Sequence, residues 1–152
     1  MKILLTGPSA TPYAREYISN AAATLRQRGH QVFVPHEGGS EPPTNPVERD
    51  CFDFDATNQA LRDADLMMAV LDGYSVDDSV AAQVGAFHAH ARTDHARPRR
   101  IIGVLHDTRV AGWDWSGGDR ALSPQIRQSI LELGAIYPNF KKAFDAIEGK
   151  EA

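Results

Sequence analysis

Cysteine is nearly absent from this 152-residue chain. Cys51 stands alone, which excludes an internal disulfide and any zinc site built from several thiolates. A reducing, cytoplasmic compartment is expected of such usage. Long apolar runs are missing too: the unbroken run Leu66 to Leu71 falls far short of the about 20 residues that a membrane-spanning helix needs. The opening Lys2-Ile3-Leu4-Leu5-Thr6-Gly7 is too short for the apolar core of a secretion signal and reads as a strand, so no membrane partner is expected. Positive charge is not in excess either. The formal charge is −4, and Arg97, Arg99 and Arg100 make too small a cluster to track a phosphate backbone, which argues against a nucleic-acid polymer as partner. Neither G-x-G-x-x-G nor a Walker A sequence follows the first strand, so NAD and ATP lose their usual cradles. H-E-x-x-H is absent as well. His88 and His90 stand two apart on one helix and cannot face one metal together, while His36, His95 and His106 are expected on loops. No metal site is predicted.

What remains is ordinary globular material. The hydrophobic share of 42% and the charged share of 24% fit a folded domain, and the length fits one domain over residues 1–152. Strand-like and helix-like patterns alternate. Met1–Thr6 reads as a buried strand. Ala14, Tyr17, Ile18, Ala21 and Leu25 lie at helical spacing before Gly29, and Gln31–Val34 reads as a second strand. Pro35–Asp50, with four prolines and two glycines, reads as a long surface loop, followed by a short helix marked by Ala56, Ala60, Leu61 and Ala64. Leu66–Leu71 has the continuous apolar character of a central parallel strand. Val80, Val84, Phe87, His88 and Ala91 form the next helical stripe, and Ile101–Leu105 the next strand. Ser123-Pro124 opens a helix running through Ile126, Ile130 and Leu133 to Gly134. A short strand, Ala135–Tyr137, and a helix carrying Phe140, Ala143, Phe144 and Ile147 follow. Five such alternations predict an α/β three-layer sandwich with a five-stranded parallel sheet, flavodoxin-like or Rossmann-like. Ligands of such sheets sit beyond the carboxyl ends of the strands, here the loops after Thr6, Pro35, Leu71 and Leu105.

Two of those loops carry candidate chemistry. Gly7-Pro8-Ser9 is either a plain turn or a place where backbone approaches a ligand. Asp72, Asp77 and Asp78 crowd between a strand end and a helix start, with Gln83 one turn into that helix. The simplest account makes Asp72-Gly73 a turn and Asp77 or Asp78 a helix cap. The functional account has these acids binding sugar hydroxyls or handling a proton near a glycosidic bond. Trp113, Trp115 and Tyr74 are aromatic candidates to stack on a base or to pack on their own domain. Arg15 and Arg109 are candidates for a phosphate, with Asp107 an equally good partner for Arg109.

Taken in order, several segments resemble the nucleoside 2-deoxyribosyltransferase family. Met1-Lys2-Ile3-Leu4-Leu5-Thr6-Gly7-Pro8 is similar to that family's opening strand and loop, and Ala64-Asp65-Leu66 through Leu71-Asp72-Gly73 to its central strand. Asp77-Asp78-Ser79-Val80-Ala81-Ala82-Gln83-Val84-Gly85 resembles the family's Asp-x-Gly-Thr-Ala-x-Glu-x-Gly segment. Ile101 through Arg109 is similar to its later strand and Asp-x-Arg turn, and Pro124–Gly134 to a later helix. The resemblance implies exchange or hydrolysis of the N-glycosidic bond of a nucleoside or nucleotide. A carboxylate attacks the anomeric carbon and a second base or water resolves the glycosyl-enzyme, with no metal or organic cofactor. It also implies a homo-oligomer in which a neighbour completes the pocket.

Carried over residue by residue, Asp77 falls on the family's active-site aspartate and Gln83 on its nucleophile. Asp72 joins them as a catalytic candidate, and Gly7, Pro8, Ser9, Gly73, Asp55, Arg109 and Ser123 as substrate-binding ones. The departures are specific. A neutral amide at Gln83 cannot be the anionic nucleophile. Leu4 stands where some members have tyrosine, Thr57 stands near an expected aspartate for which Asp55 is a substitute, and Ser123 lies near an asparagine that serves a neighbouring subunit. Gln83 has two accounts. One is a deliberate glutamate-to-glutamine replacement that keeps the pocket and blocks covalent attack. The other is natural divergence, giving a catalytically silent nucleoside- or nucleotide-binding protein, or an enzyme that uses Asp77 or Asp78 differently.

Overall fold

The structure, a computed structural model, describes residues 1–38, 43–94, 96–106 and 122–150. In chain order the elements are β1 (Lys2–Thr6), α1 (Pro12–Gln27), β2 (Gln31–Phe33), a 3₁₀ turn (Pro35–Glu37), α2 (Pro46–Asp63), β3 (Leu66–Val70) and α3 (Asp78–Thr93). They continue with β4 (Arg100–Val104), α4 (Pro124–Leu131), β5 (Gly134–Tyr137) and α5 (Phe140–Ile147). All strand pairs are parallel, in the order β2-β1-β3-β4-β5. This is the predicted α/β sandwich, in the doubly wound order in which the chain first winds outward from β1 and then reverses across β3.

Alternation along each strand divides the core. Ile3, Leu5, Leu66, Met68, Val70, Ile102 and Val104 pack with α1 and α5, while Leu4, Met67, Ala69, Leu71 and Ile101 pack with α2, α3 and α4. Both sheet faces are thus covered, which is why the strands read as continuous apolar runs. Among the described residues no helix is long and apolar enough to cross a membrane.

Two expectations need correction. Pro35–Asp50 is not one long loop: it holds the 3₁₀ turn, and α2 already begins at Pro46, making it an 18-residue helix instead of a short one. Asn45 caps it, its side chain accepting from the Val47 amide at 3.0 Å, and Pro46 occupies the first turn, where no amide is needed. The early turns escape a periodicity reading because Val47 and Phe54 are 72% and 69% exposed, so they carry no inward stripe. The second correction concerns Gly134, which begins β5 and does not end α4. There β5 runs so close to β4 that a Cβ on Gly134 would lie 2.0 Å from the Ile101 carbonyl oxygen.

Candidate functional site

The carboxyl ends of β1 to β4 bring the expected loops to one edge of the sheet. Gly7 leaves β1 where α1 presses closest: a Cβ there would lie 2.5 Å from Ile18 Cδ1 and 2.9 Å from Val70 Cβ. Glycine is needed for that packing. Pro8 and Ser9 are half-buried, and Arg15 Nη1 donates to the Ser9 carbonyl at 2.7 Å, closing the loop onto α1. The turn after β2 is fastened to the same helix. Ser19 Oγ and His36 Nε2 share a hydrogen bond of 3.1 Å, and Arg26 donates to Glu37 at 2.6 Å.

Pro35, at the head of that turn, forms one wall of a cavity of about 440 Å³ between α2 and α3. Asp53, Thr57 and Asn58 contribute from α2, and Ser79 and Gln83 from α3. Asp53 and Thr57, four residues apart, share a face, whereas Asp55 between them is exposed and is not part of the lining. The Gln83 side-chain oxygen is buried and has no hydrogen-bond partner among the described residues. Buried polar atoms are nearly always paired, so a lone acceptor on a cavity wall marks a place for a donor from outside the fold. Asp77 sets the position of this helix: its Oδ1 accepts from the Ser79 and Val80 amides at 3.0 and 3.3 Å. Asp78 also accepts from the Ser79 amide, at 2.7 Å.

Asp72 is turned elsewhere. It follows Leu71, whose side chain belongs to the α2–α3 side, and its carboxylate meets the α1–α5 side. There it accepts from the His106 amide at 2.6 Å and from His106 Nδ1 at 2.7 Å. The Tyr17 hydroxyl, the donor when Nδ1 carries the ring's proton, shares a hydrogen bond of 2.8 Å with Nε2. Burial first, and the Asp72 charge second, push the Tyr17 phenol above its ordinary value of 10.0, which keeps that donor protonated. Phe140 closes the group edge-on to His106, with centroids 5.3 Å apart. The structure therefore joins Gln83 with Asp53 and Thr57, and Asp72 with His106 and Tyr17. Gly73 adopts φ +134°, the turn that releases the chain from β3. Ser123 caps α4 by accepting from the Ile126 amide at 3.3 Å. Arg109, Asp107, Trp113, Trp115 and His95 lie outside the described residues.

The sequence profile for nucleoside 2-deoxyribosyltransferase matches residues 3–146, nearly the whole chain. The chain belongs to the nucleoside 2-deoxyribosyltransferase family. No curated protein is similar enough in sequence to count as a match. Among solved structures, a conserved protein from Enterococcus faecalis superposes with a TM-score of 0.77 at 16% identity, covering 99% of each chain. A 2-deoxyribosyltransferase from Bacillus psychrosaccharolyticus gives 0.68 at 21%, covering 94% of this chain and 90% of its own. A CMP N-glycosidase from Clostridium botulinum gives 0.56 at 15%, covering 97% and 99%. At such identities these three share the family fold with the chain.

Two participants in this nucleoside 2-deoxyribosyltransferase fold escaped the sequence reading. Asp53 lies between Asp50, where the expected loop ends, and Ala56, the first marker of the expected helix, so the pattern gives it no helical spacing to Thr57. His106 reads in the sequence as a loop residue after the fourth strand, and its partners arrive from residues 34 and 89 positions away, a distance no local pattern spans. Among the described residues no group of three or more His, Cys, Asp or Glu side chains could hold a metal.

Proposed function

We propose that this chain binds a nucleoside or nucleotide in the α2–α3 cavity with the sugar against Gln83, and that its chemistry is cleavage or exchange of the N-glycosidic bond. One observation carries the reading: a buried Gln83 oxygen, without a partner among the described residues, on the wall of a cavity of about 440 Å³. That volume lies within the roughly 300–1,000 Å³ of small-molecule sites. Thr57, Asn58 and Ser79 add neutral hydrogen-bonding groups of the kind that sugar hydroxyls take. Family membership supports the reaction class, and the named activities of the Bacillus and Clostridium proteins, deoxyribosyl transfer and CMP N-glycoside hydrolysis, are its two forms. Asp77 holds the α3 amino end.

An amide cannot form the glycosyl-enzyme, so transfer between bases requires glutamate at this position. The test is Gln83→Glu mixed with deoxynucleosides, their 5′-monophosphates and a second free base, followed by chromatography of the bases. Exchange or base release by the variant is expected. No turnover by the variant or by the unsubstituted chain across the panel contradicts the reaction class. The second reading, a silent nucleoside- or nucleotide-binding protein, is favoured by the amide itself, and it expects binding to the unsubstituted chain without turnover.

A further inference from the structure

Gln83 has no charge to attack with, yet an acidic residue lines the same cavity. Asp53 is the one ionisable group among the described residues that line the cavity. No hydrogen bond or ion pair from another described residue engages its carboxylate. Asp53 and the Gln83 amide oxygen, neither with a partner among the described residues, thus belong to one cavity and come from neighbouring helices.

We propose that Asp53 is the general base of a single-displacement hydrolysis, acting on a water that Gln83 Oε1 and Asp53 together orient toward the anomeric carbon of a bound nucleoside. This rests on the reading that the cavity takes a nucleoside. Both groups accept hydrogen bonds, so a water donating one hydrogen to each turns a lone pair away from them and toward the sugar. As the water oxygen bonds to the anomeric carbon, one of its protons passes to Asp53. The carbon–nitrogen bond breaks and its electron pair leaves on the base nitrogen, which is protonated from solvent, while Asp53 returns its proton to solvent. The products are free sugar and free base. Attack from the face opposite the leaving base inverts the anomeric carbon. A double displacement uses a nucleophile and a separate acid–base group, and the described lining offers a single carboxylate. Space is sufficient, since a water takes only about 30 Å³.

The full chain is incubated with 2′-deoxyadenosine, 2′-deoxycytidine and their 5′-monophosphates in buffer containing methanol. Methanol competes with water, and the methyl glycoside keeps the configuration that the free sugar loses by ring opening. Proton nuclear magnetic resonance should show the inverted α-methyl glycoside. Asp53→Asn should lower kcat at least about 100-fold, as removal of a general base does. Its calorimetric affinity for the same compounds should stay within a few-fold, and the acid limb of the pH profile should vanish. A retained β-methyl glycoside, unchanged activity in Asp53→Asn, or binding by the unsubstituted chain without turnover overturns the proposal while leaving nucleoside binding intact. Binding of none of the compounds overturns the underlying reading and the proposal with it.

Discussion

Replacing one carboxylate oxygen by an amide nitrogen leaves the shape of residue 83 almost unchanged and removes its charge, so its surroundings decide what it does. At Gln83 they bury the side-chain oxygen and, among the described residues, give it no partner. Gly7 shows the opposite case, a site candidate whose measurable demand is packing. Gly7→Ala drives a methyl into Ile18 and Val70, and overpacking of this kind costs about 1–3 kcal/mol, readable by urea unfolding. Unchanged stability would mean that α1 can move away. The turn bearing Pro35 makes the fold sensitive to acid. Burial holds the His36 imidazole below its usual 6.5. Burial also pushes the Glu37 carboxyl up, but hydrogen bonds from Arg26 and Ser19 outweigh it and hold the group below 4.5. Both groups take protons less readily folded than unfolded. Each therefore contributes stability that is complete above its ordinary value and is lost as pH falls through the folded one. The Tm should decline from about pH 6.5 downward, with a further fall below about 4.5, and His36→Gln should shrink the first step, to which His30, also held below 6.5 first by burial, contributes the rest. A Tm independent of pH across that range would refute the assignment.

Helix α2 carries the Asp53–Thr57 wall and is fixed at both ends. At its carboxyl end Arg99 donates to the Leu61 carbonyl at 3.2 Å and to that of Arg62, and Arg97 donates to the Asp63 carbonyl at 2.9 Å. These cations meet the negative end of the helix dipole as well as its unpaired carbonyls. Arg99→Met should cost about 1–3 kcal/mol in stability by removing donors to buried carbonyls. It should also weaken nucleoside binding through displacement of the wall. A variant as stable and as tight-binding as the parent would show that α2 needs no such clamp. The strands were legible in the sequence because burial on both faces writes an uninterrupted apolar run, as at Leu66–Val70. Helix α4 was legible at its start from Ser123-Pro124. The same type of signal at Asn45-Pro46 passed unread among the neighbouring prolines, since the turns it opens face solvent through Val47 and Phe54. Of the candidate site, Gln83 was legible from its motif, whereas Asp53 required the helix to be placed first. The turning of Asp72 toward His106 followed only from the phase of β3 relative to the sheet.

At the scale of the molecule, the two faces of the sheet divide the labour. The α1–α5 face ties Asp72, His106 and Tyr17 into a hydrogen-bonded chain, and the α2–α3 face opens a cavity around Gln83. We propose that residues 1–152 act as one domain and assemble as at least a dimer. Light scattering should report twice the 16.6 kDa chain mass or more, and a monomer at working concentration would contradict that. What the cavity binds decides whether a sugar is held against Gln83. Calorimetric titration of deoxynucleosides and their 5′-monophosphates into the chain and into Gln83→Leu should give saturable binding, about tenfold weaker in the variant for the loss of one hydrogen bond. Equal affinity in both proteins, or no binding to either, would contradict a sugar held against Gln83.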